Sequence, residues 1–295
     1  MVTNVRKTRL YENTTKERNL NGKICVWNIN LATNTNIWIP EFVGKEIERQ
    51  ESDFVILTEF CKTIKHENFI QRFFIDNGYD YVLSNNSMKH NNIFVAWKRD
   101  KYTVVNSETN IKTNQTTPNI VFVVLKDSKG IEFVLAGVRI TTESYENRAI
   151  QWDSALEVLK SFPRVIVGGD FNCLRRGTSE SRWNIFELAQ KSQNRGFNLV
   201  TPKGQSIYAE IAQRRENEFA EDHFVAKGIE ITDEKYDRSF MDRNTDVYLH
   251  GKNFTIYDKE LKRNIWSIDV GSGIPDHAML LGTINMDLNG YSSES

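Results

Sequence analysis

Five stretches of the 295-residue chain join an apolar, strand-like run to side chains that can bind or activate oxygen. Val26-Trp-Asn-Ile-Asn30 carries Asn28 and Asn30 two residues apart, hence on one face of a strand. Phe54-Val-Ile-Leu-Thr-Glu59 ends in a carboxylate, and Val165-Ile-Val-Gly-Gly-Asp-Phe-Asn172 ends in Asp170 and Asn172. Ser272-Gly-Ile-Pro-Asp-His277 sets Asp276 and His277 directly before the apolar run Ala278-Met-Leu-Leu. Glu221-Asp-His-Phe-Val-Ala226 sets Asp222 at the start of a strand. Any one of these could be a turn, because Asn and Asp side chains bond their own backbone there. Five together, each tied to an apolar strand, point instead to a catalytic ledge.

The chemistry that such a set supports is metal-assisted attack on a phosphodiester or phosphomonoester. Oxygen donors such as Glu59 and Asn30 suit a hard cation, Mg²⁺ or Mn²⁺. The cation neutralises charge that grows on the phosphoryl oxygens. A carboxylate has to hold or deprotonate the attacking water, while amide or cationic donors hold the non-bridging oxygens. A histidine paired with a second carboxylate stays charged beside phosphate. The five histidines show no zinc-type spacing, and no G-x-S-x-G elbow, Walker A or G-x-G-x-x-G loop is present.

These side chains need strands to place them. Apolar, β-rich runs lie at Ile24 to Ile29, Phe54 to Leu57, Tyr79 to Leu83, Ile93 to Trp97, Ile120 to Leu125, Glu132 to Ile140 and Val165 to Val167. Later ones are His223 to Ala226, Asp246 to Leu249, Phe254 to Tyr257 and Ala278 to Ile284. Helical spacing appears over Glu41 to Gln50, Asn68 to Asp76, Glu146 to Ser161 and Arg182 to Arg195, the last closed by Gly196. Strands outnumber helices and often follow one another directly. That pattern suits packed, largely antiparallel or mixed sheets with helices outside rather than a doubly wound parallel sheet.

Composition is that of an ordinary globular protein, 39% hydrophobic and 26% charged. Residues 1–21 read as a polar arm, 22–289 as one domain and 290–295 as a polar tail, with no linker or repeat between. No run is long and apolar enough for a membrane span, and the N-terminus lacks the apolar stretch of a signal peptide. Cys25, Cys61 and Cys173 are scattered and odd in number, which predicts reduced packing thiols in a cytoplasmic protein. A net charge of -1 argues against a broad electrostatic grip on nucleic acid. Local pairs such as Arg175-Arg176 and Lys98-Arg99 could still hold a phosphate or be solvated surface.

The ordered series Trp27-Asn-Ile-Asn30, Thr58-Glu59, Gly168-Gly-Asp-Phe-Asn172, Glu221-Asp-His-Phe224 and Pro275-Asp-His277 resembles the endonuclease/exonuclease/phosphatase (deoxyribonuclease I-like) superfamily. The resemblance implies a four-layer α/β sandwich, two central mixed, largely antiparallel β-sheets flanked by α-helices. It implies metal ligation by Asn30, Glu59 and Asp276, with Asn28 supporting metal and phosphate. By the same resemblance Asp170 activates the water, Asn172 holds phosphate and nucleophile, and His277, polarised by Asp222, binds phosphate. Many members carry a His or Tyr on the middle strand. Here that segment is Gly137-Val-Arg-Ile-Thr141, so Arg139 is either a transition-state donor or a salt-bridge partner.

The resulting expectation is a Mg²⁺- or Mn²⁺-dependent phosphodiesterase, a monomer acting on nucleic acid or a nucleotide. The alternatives are a phosphatase or lipid phosphodiesterase of the same fold, or a catalytically inactive binding module. Specificity is expected in the loops Asn30 to Pro40, Asn85 to Asn92, Arg175 to Trp183 and Lys203 to Glu218.

Overall fold

The computed structural model describes residues 20–30, 38–63, 65–84, 91–108, 120–173, 183–207, 220–249, 252–258, 263–269 and 274–286. Most of the N-terminal arm, the C-terminal tail, Arg175-Arg176 and much of the four expected specificity loops lie outside these residues.

The first half runs β1 (Leu20–Asn28), α1 (Glu41–Gln50), β2 (Phe54–Phe60), α2 (His66–Ile70) with a π turn (Gln71–Ile75), β3 (Tyr79–Leu83) and β4 (Asn92–Lys98). It continues through β5 (Tyr102–Glu108), β6 (Ile120–Asp127), β7 (Glu132–Arg139), α3 (Tyr145–Leu159) and β8 (Val165–Asp170). The second half comprises α4 (Ile185–Gln193), β9 (Asn198–Val200), β10 (Asp222–Lys227), β11 (Glu230–Asp237), α5 (Ser239–Arg243) and α6 (Thr245–Leu249). The hairpin β12 (Lys252–Asp258) and β13 (Arg263–Asp269) precedes the last strand, β14 (Met279–Met286).

Two six-stranded sheets form the centre, ordered β11-β14-β1-β2-β4-β3 and β5-β6-β7-β8-β10-β9. Each is antiparallel except for one parallel pair, β1 with β2 and β7 with β8. A parallel neighbour requires a crossover, and α1 and α3 supply it. Both crossovers therefore begin at the same kind of place, the C-terminal end of a strand.

Three apolar clusters stack through the molecule. Val26, Ile56, Val95, Val123, Leu135, Ile166, Phe224 and Leu280 fill the space between the sheets. Trp27, Leu57, Phe60, Phe73 and Phe94 pack under α1 and α2, while Val138, Trp152, Leu156, Val167 and Phe171 pack under α3 and α4. The result is the expected four-layer sandwich. All three cysteines are buried and free, as packing residues.

Gly168 sets how closely the two sheets approach, and Gly169 how closely β8 runs beside β7. A Cβ on Gly168 would lie 2.6 Å from Val26 Cγ2 on the facing sheet, and one on Gly169 would lie 1.9 Å from the Val138 carbonyl oxygen.

The sequence expectation fails at Asp246 to Leu249, read as a strand and found in helix α6. A four-residue run with three apolar side chains carries no period that separates the two. Strands β5 and β11 went unread because they carry little alternation: β5 is exposed at every position after Tyr102, and β11 is mostly charged. The Lys98-Arg99 pair lies at the end of β4 away from Phe60. There Lys98 Nζ donates to the Asn77 carbonyl 2.8 Å away and Arg99 meets Asp80.

Gly169→Ala drives a methyl into a strand carbonyl. Urea unfolding should show a loss of about 3 kcal/mol or more, in the range of severe core lesions.

Candidate active site

The strand ends β1, β2, β7 and β8 and the strand starts β10 and β14 all meet at one edge of the sandwich. Register makes this so: Arg139 pairs with Asp170, Asp170 with Asp222, and Asn28 with Thr58 beside Glu59. Directly paired residues share a face, so Arg139, Asp170 and Asp222 form a row across three adjacent strands.

Three of the site residues hold strained backbone. Asn30, Glu59 and Asn172 have φ of 53°, 52° and 46°, in the left-handed region that non-glycine residues rarely adopt. At Glu59 the ladder to β4 slips between Leu57 and Phe60, which turns the carboxylate out of the pleat. Strain of this kind gathers where a structure must aim a side chain.

Asp170 is the hub. Its Oδ2 accepts from Asn28 Nδ2 at 3.1 Å and from Asn172 Nδ2 at 3.2 Å; its Oδ1 accepts from the Asn172 backbone N–H at 2.8 Å. Asn28 comes from one sheet and Asp170 from the other, so this bond clasps the two layers. Asn28 Oδ1 in turn accepts from the Asn30 backbone N–H at 3.0 Å. The Asn172 amide also donates to Ile140 O, and Arg148 Nη1 holds the Asn172 carbonyl at 2.8 Å. Burial pushes the Asp170 carboxyl up to about 6, opposed by the charges of His277 and Arg139 and reinforced by Asp222 and Glu59.

His277 Nδ1 lies 2.7 Å from Asp222 Oδ2, both side chains buried. Burial works against a charged ring. Asp222 outweighs it by charge and hydrogen bond, with help from Asp276 and Asp170, and holds the imidazole well above its ordinary range. Trp27 Nε1 donates to the His277 carbonyl at 2.9 Å and fixes the chain there.

Arg139 grips Glu59 across the site, with Nη2 at 2.6 Å and Nε at 3.2 Å, both on Oε1. In this structure Arg139 thus sits in a salt bridge. It is a sheltered one, the side chains being 13% and 12% exposed. Asn30 Nδ2 donates to Ile274 O at 3.0 Å, which brings Asn30 against the segment carrying Asp276.

All the residues singled out from sequence, Asn28, Asn30, Glu59, Arg139, Asp170, Asn172, Asp222, Asp276 and His277, thus gather at one edge. Glu221 belongs with them and had been assigned no part. Burial, then Asp170, pushes its carboxyl up to about 8, and Asp222 and Asp276 add to this. Its position beside Asp222 was the one available signal. His223, by contrast, is a packing residue, held between Cys173 Sγ at 3.1 Å and Thr201 Oγ1 at 2.9 Å. A separate cavity of about 510 Å³, lined in part by Lys23, Gln50, Lys235 and Thr283, includes none of the site residues.

Five carboxyl groups, Glu59, Asp170, Glu221, Asp222 and Asp276, face two cationic groups, Arg139 and His277. Among the described residues no three acidic, imidazole or thiol groups form a ready cage for a metal ion. The donor set still fits a hard cation. It offers the carboxylates of Glu59 and Asp276 and the amide of Asn30, and Glu59 Oε2 accepts no hydrogen bond from the described residues. Crowding of like charge, which raises Asp276 once burial has begun it, is what a divalent cation relieves.

No family model matches the chain, and no curated protein matches it in sequence. Solved structures do match. An endonuclease/exonuclease/phosphatase family protein from Bacteroides thetaiotaomicron superposes with a TM-score of 0.60 at 13% identity, over 92% of this chain and 100% of its own. The chain has the deoxyribonuclease I-like fold. Other chains of this fold include D. rerio TDP2 complexed with a single-strand DNA product, with a TM-score of 0.58, 12% identity and coverage of 90% and 99%. The mannosyl-6-phosphatase of B. thetaiotaomicron aligns with a TM-score of 0.57 and 12% identity, over 89% and 99%. Among the described residues no helix is long and apolar enough to cross a membrane.

Because Asp222 raises His277 above the ordinary 6.5, the pair stabilises the fold fully below that pH and loses this contribution as pH rises through the folded value. Asp222→Asn should therefore shift the His277 ring titration, followed by NMR, to lower pH and flatten the fall in stability on the alkaline side.

Proposed function

We propose that this protein is a metal-dependent phosphodiesterase that cleaves a phosphodiester in nucleic acid or a nucleotide by in-line attack of water. The observation that carries the reading is the interlocked Asn28–Asp170–Asn172 cluster beside the Asp222–His277 pair.

Asp170 takes the proton of the attacking water. Its accepted hydrogen bonds favour the ionised form, while its raised pKa keeps it basic enough to act near neutrality. Asn172 and Asn28 hold Asp170 in place through the amide hydrogen bonds they donate to it. His277, kept protonated by Asp222, donates to a non-bridging oxygen and offsets charge there as it grows. Arg139 adds a permanent positive charge on the same side. Glu59, Asn30 and Asp276 are the residues to hold Mg²⁺ or Mn²⁺, which when bound supplies Lewis-acid neutralisation of the phosphoryl oxygens.

One exposed feature favours a base-bearing substrate over a simple phosphomonoester. Trp38 is 58% exposed and carries Lys65 Nζ 3.7 Å above its ring. Trp38 lies just before α1 and Lys65 just before α2, so both stand at the strand-end edge that holds the site. An aromatic face with an ammonium beside it suits a nucleobase and its phosphate.

Asp170→Asn should lower kcat by about 10²- to 10⁴-fold, the usual worth of a general base, while circular dichroism stays that of the wild type. The wild-type rate should fall on the acid side through a pKa near 6, as Asp170 takes up a proton. EDTA should abolish turnover and Mg²⁺ or Mn²⁺ restore it. Trp38→Ala should raise KM for an oligonucleotide about tenfold with little change in kcat, given a stacking energy of about 1–3 kcal/mol per base. A panel of oligonucleotides, cyclic dinucleotides, sugar phosphates and phosphoinositides decides the substrate, and faster turnover of the sugar phosphates would overturn the phosphodiesterase reading.

A further inference from the structure

Arg139 and Glu59 come from different sheets, β7 and β2, and meet at 2.6 Å in a sheltered pocket. Both guanidinium bonds fall on Glu59 Oε1. Arg139 Nη1 makes no hydrogen bond to the described residues. The carboxylate best placed for a divalent cation is thus already neutralised by a residue of the chain itself. Asp170 and Glu221 also face the guanidinium, behind Glu59 in influence.

We propose that Arg139 is an internal counter-ion that competes with the divalent cation for Glu59, and that cation binding frees it to hold the substrate phosphate. The proposal rests on the metal-dependent reading above. A cation approaching Glu59 meets a carboxylate whose charge is shared with a guanidinium, and a second positive charge within a few ångströms. Both weaken its hold. Once the cation has taken Glu59, the guanidinium loses its partner. Its planar fork, which matches a phosphoryl group in two-point fashion, is then available to substrate. By linkage, an anion that draws Arg139 away from Glu59 strengthens cation binding by the same factor. Cation and phosphate ester would then enter together rather than independently. A neutral His or Tyr in place of Arg139 could not exert this competition.

The experiment is a Mn²⁺ titration of the full chain followed by the electron paramagnetic resonance signal of free Mn²⁺, with no substrate present. Arg139→Met keeps an unbranched apolar stem and removes the charged head. It should bind Mn²⁺ about tenfold more tightly than the wild type, within the usual range for coupled sites. Arg139→Lys keeps the charge and should stay within about threefold of the wild type, well short of the Met variant. Glu59→Gln should weaken binding in either background, which assigns the measured site. Melting curves confirm that each variant is folded.

An unchanged or weaker affinity in Arg139→Met overturns the proposal, as does Arg139→Lys matching Arg139→Met, or Glu59→Gln leaving affinity untouched. Metal-dependent phosphodiester hydrolysis by the wild type with no tightening in Arg139→Met would sink this inference and leave the proposed activity standing. Tightening in Arg139→Met without hydrolysis of any phosphodiester would do the reverse.

Discussion

The hydrogen bond from Asn28 Nδ2 to Asp170 Oδ2 joins the ends of two strands that belong to different sheets. Everything else at the site depends on those ends lying within one side chain's reach. That closeness is a packing property. With a side chain at Gly168 the facing Val26 could not sit where it does, and the two parallel pairs could not bring their C-terminal ends together. The apolar layer of Val26, Ile56 and Ile166 is therefore both the core of the fold and the spacer that sets the site's dimensions.

Charge is the second constraint. A close-packed edge that gathers five carboxyls and two cationic groups cannot hold every carboxyl ionised at its ordinary pKa. Burial raises Asp170, Glu221 and Asp276, while the Asp222–His277 pair and the Arg139–Glu59 pair each bring opposite charges together. The arrangement is costly for stability, since buried ion pairs are dearly desolvated. It also leaves the polar groups fixed before any ligand arrives, which is what the proposed electrostatic catalysis requires. The left-handed backbones of Asn30, Glu59 and Asn172 are a further local cost at the same edge.

Most strands, and packed mixed sheets with helices outside, could be read from apolar runs, because a buried strand declares itself in four to eight residues. The four layers and two central sheets followed from the family resemblance. Helix α1 matched its expected span, Glu41 to Gln50. Strands such as β5 and β11 could not be read, since their ladder partners and not their own side chains make them strands. Asp246 to Leu249 was misread because four apolar-rich residues fit either element, and packing of Tyr248 against Phe240 and the Pro275 carbonyl decides for helix. At the site, side chains at strand ends were visible as types. Glu221 was not, because its place beside Asp222 in the chain does not say that its own side chain shares a pocket with Asp170 and Asp276.

The sequence by itself determined which polar side chains end which apolar strands, because strand period and turn chemistry are local and survive in any fold that uses those strands. Only the tertiary structure decided who meets whom. Asn28 reaches Asp170 across 142 residues, Arg139 reaches Glu59 across 80, and His277 reaches Asp222 across 55. Those pairings follow from sheet register and from the spacing between sheets, and both are set by packing summed over the whole core.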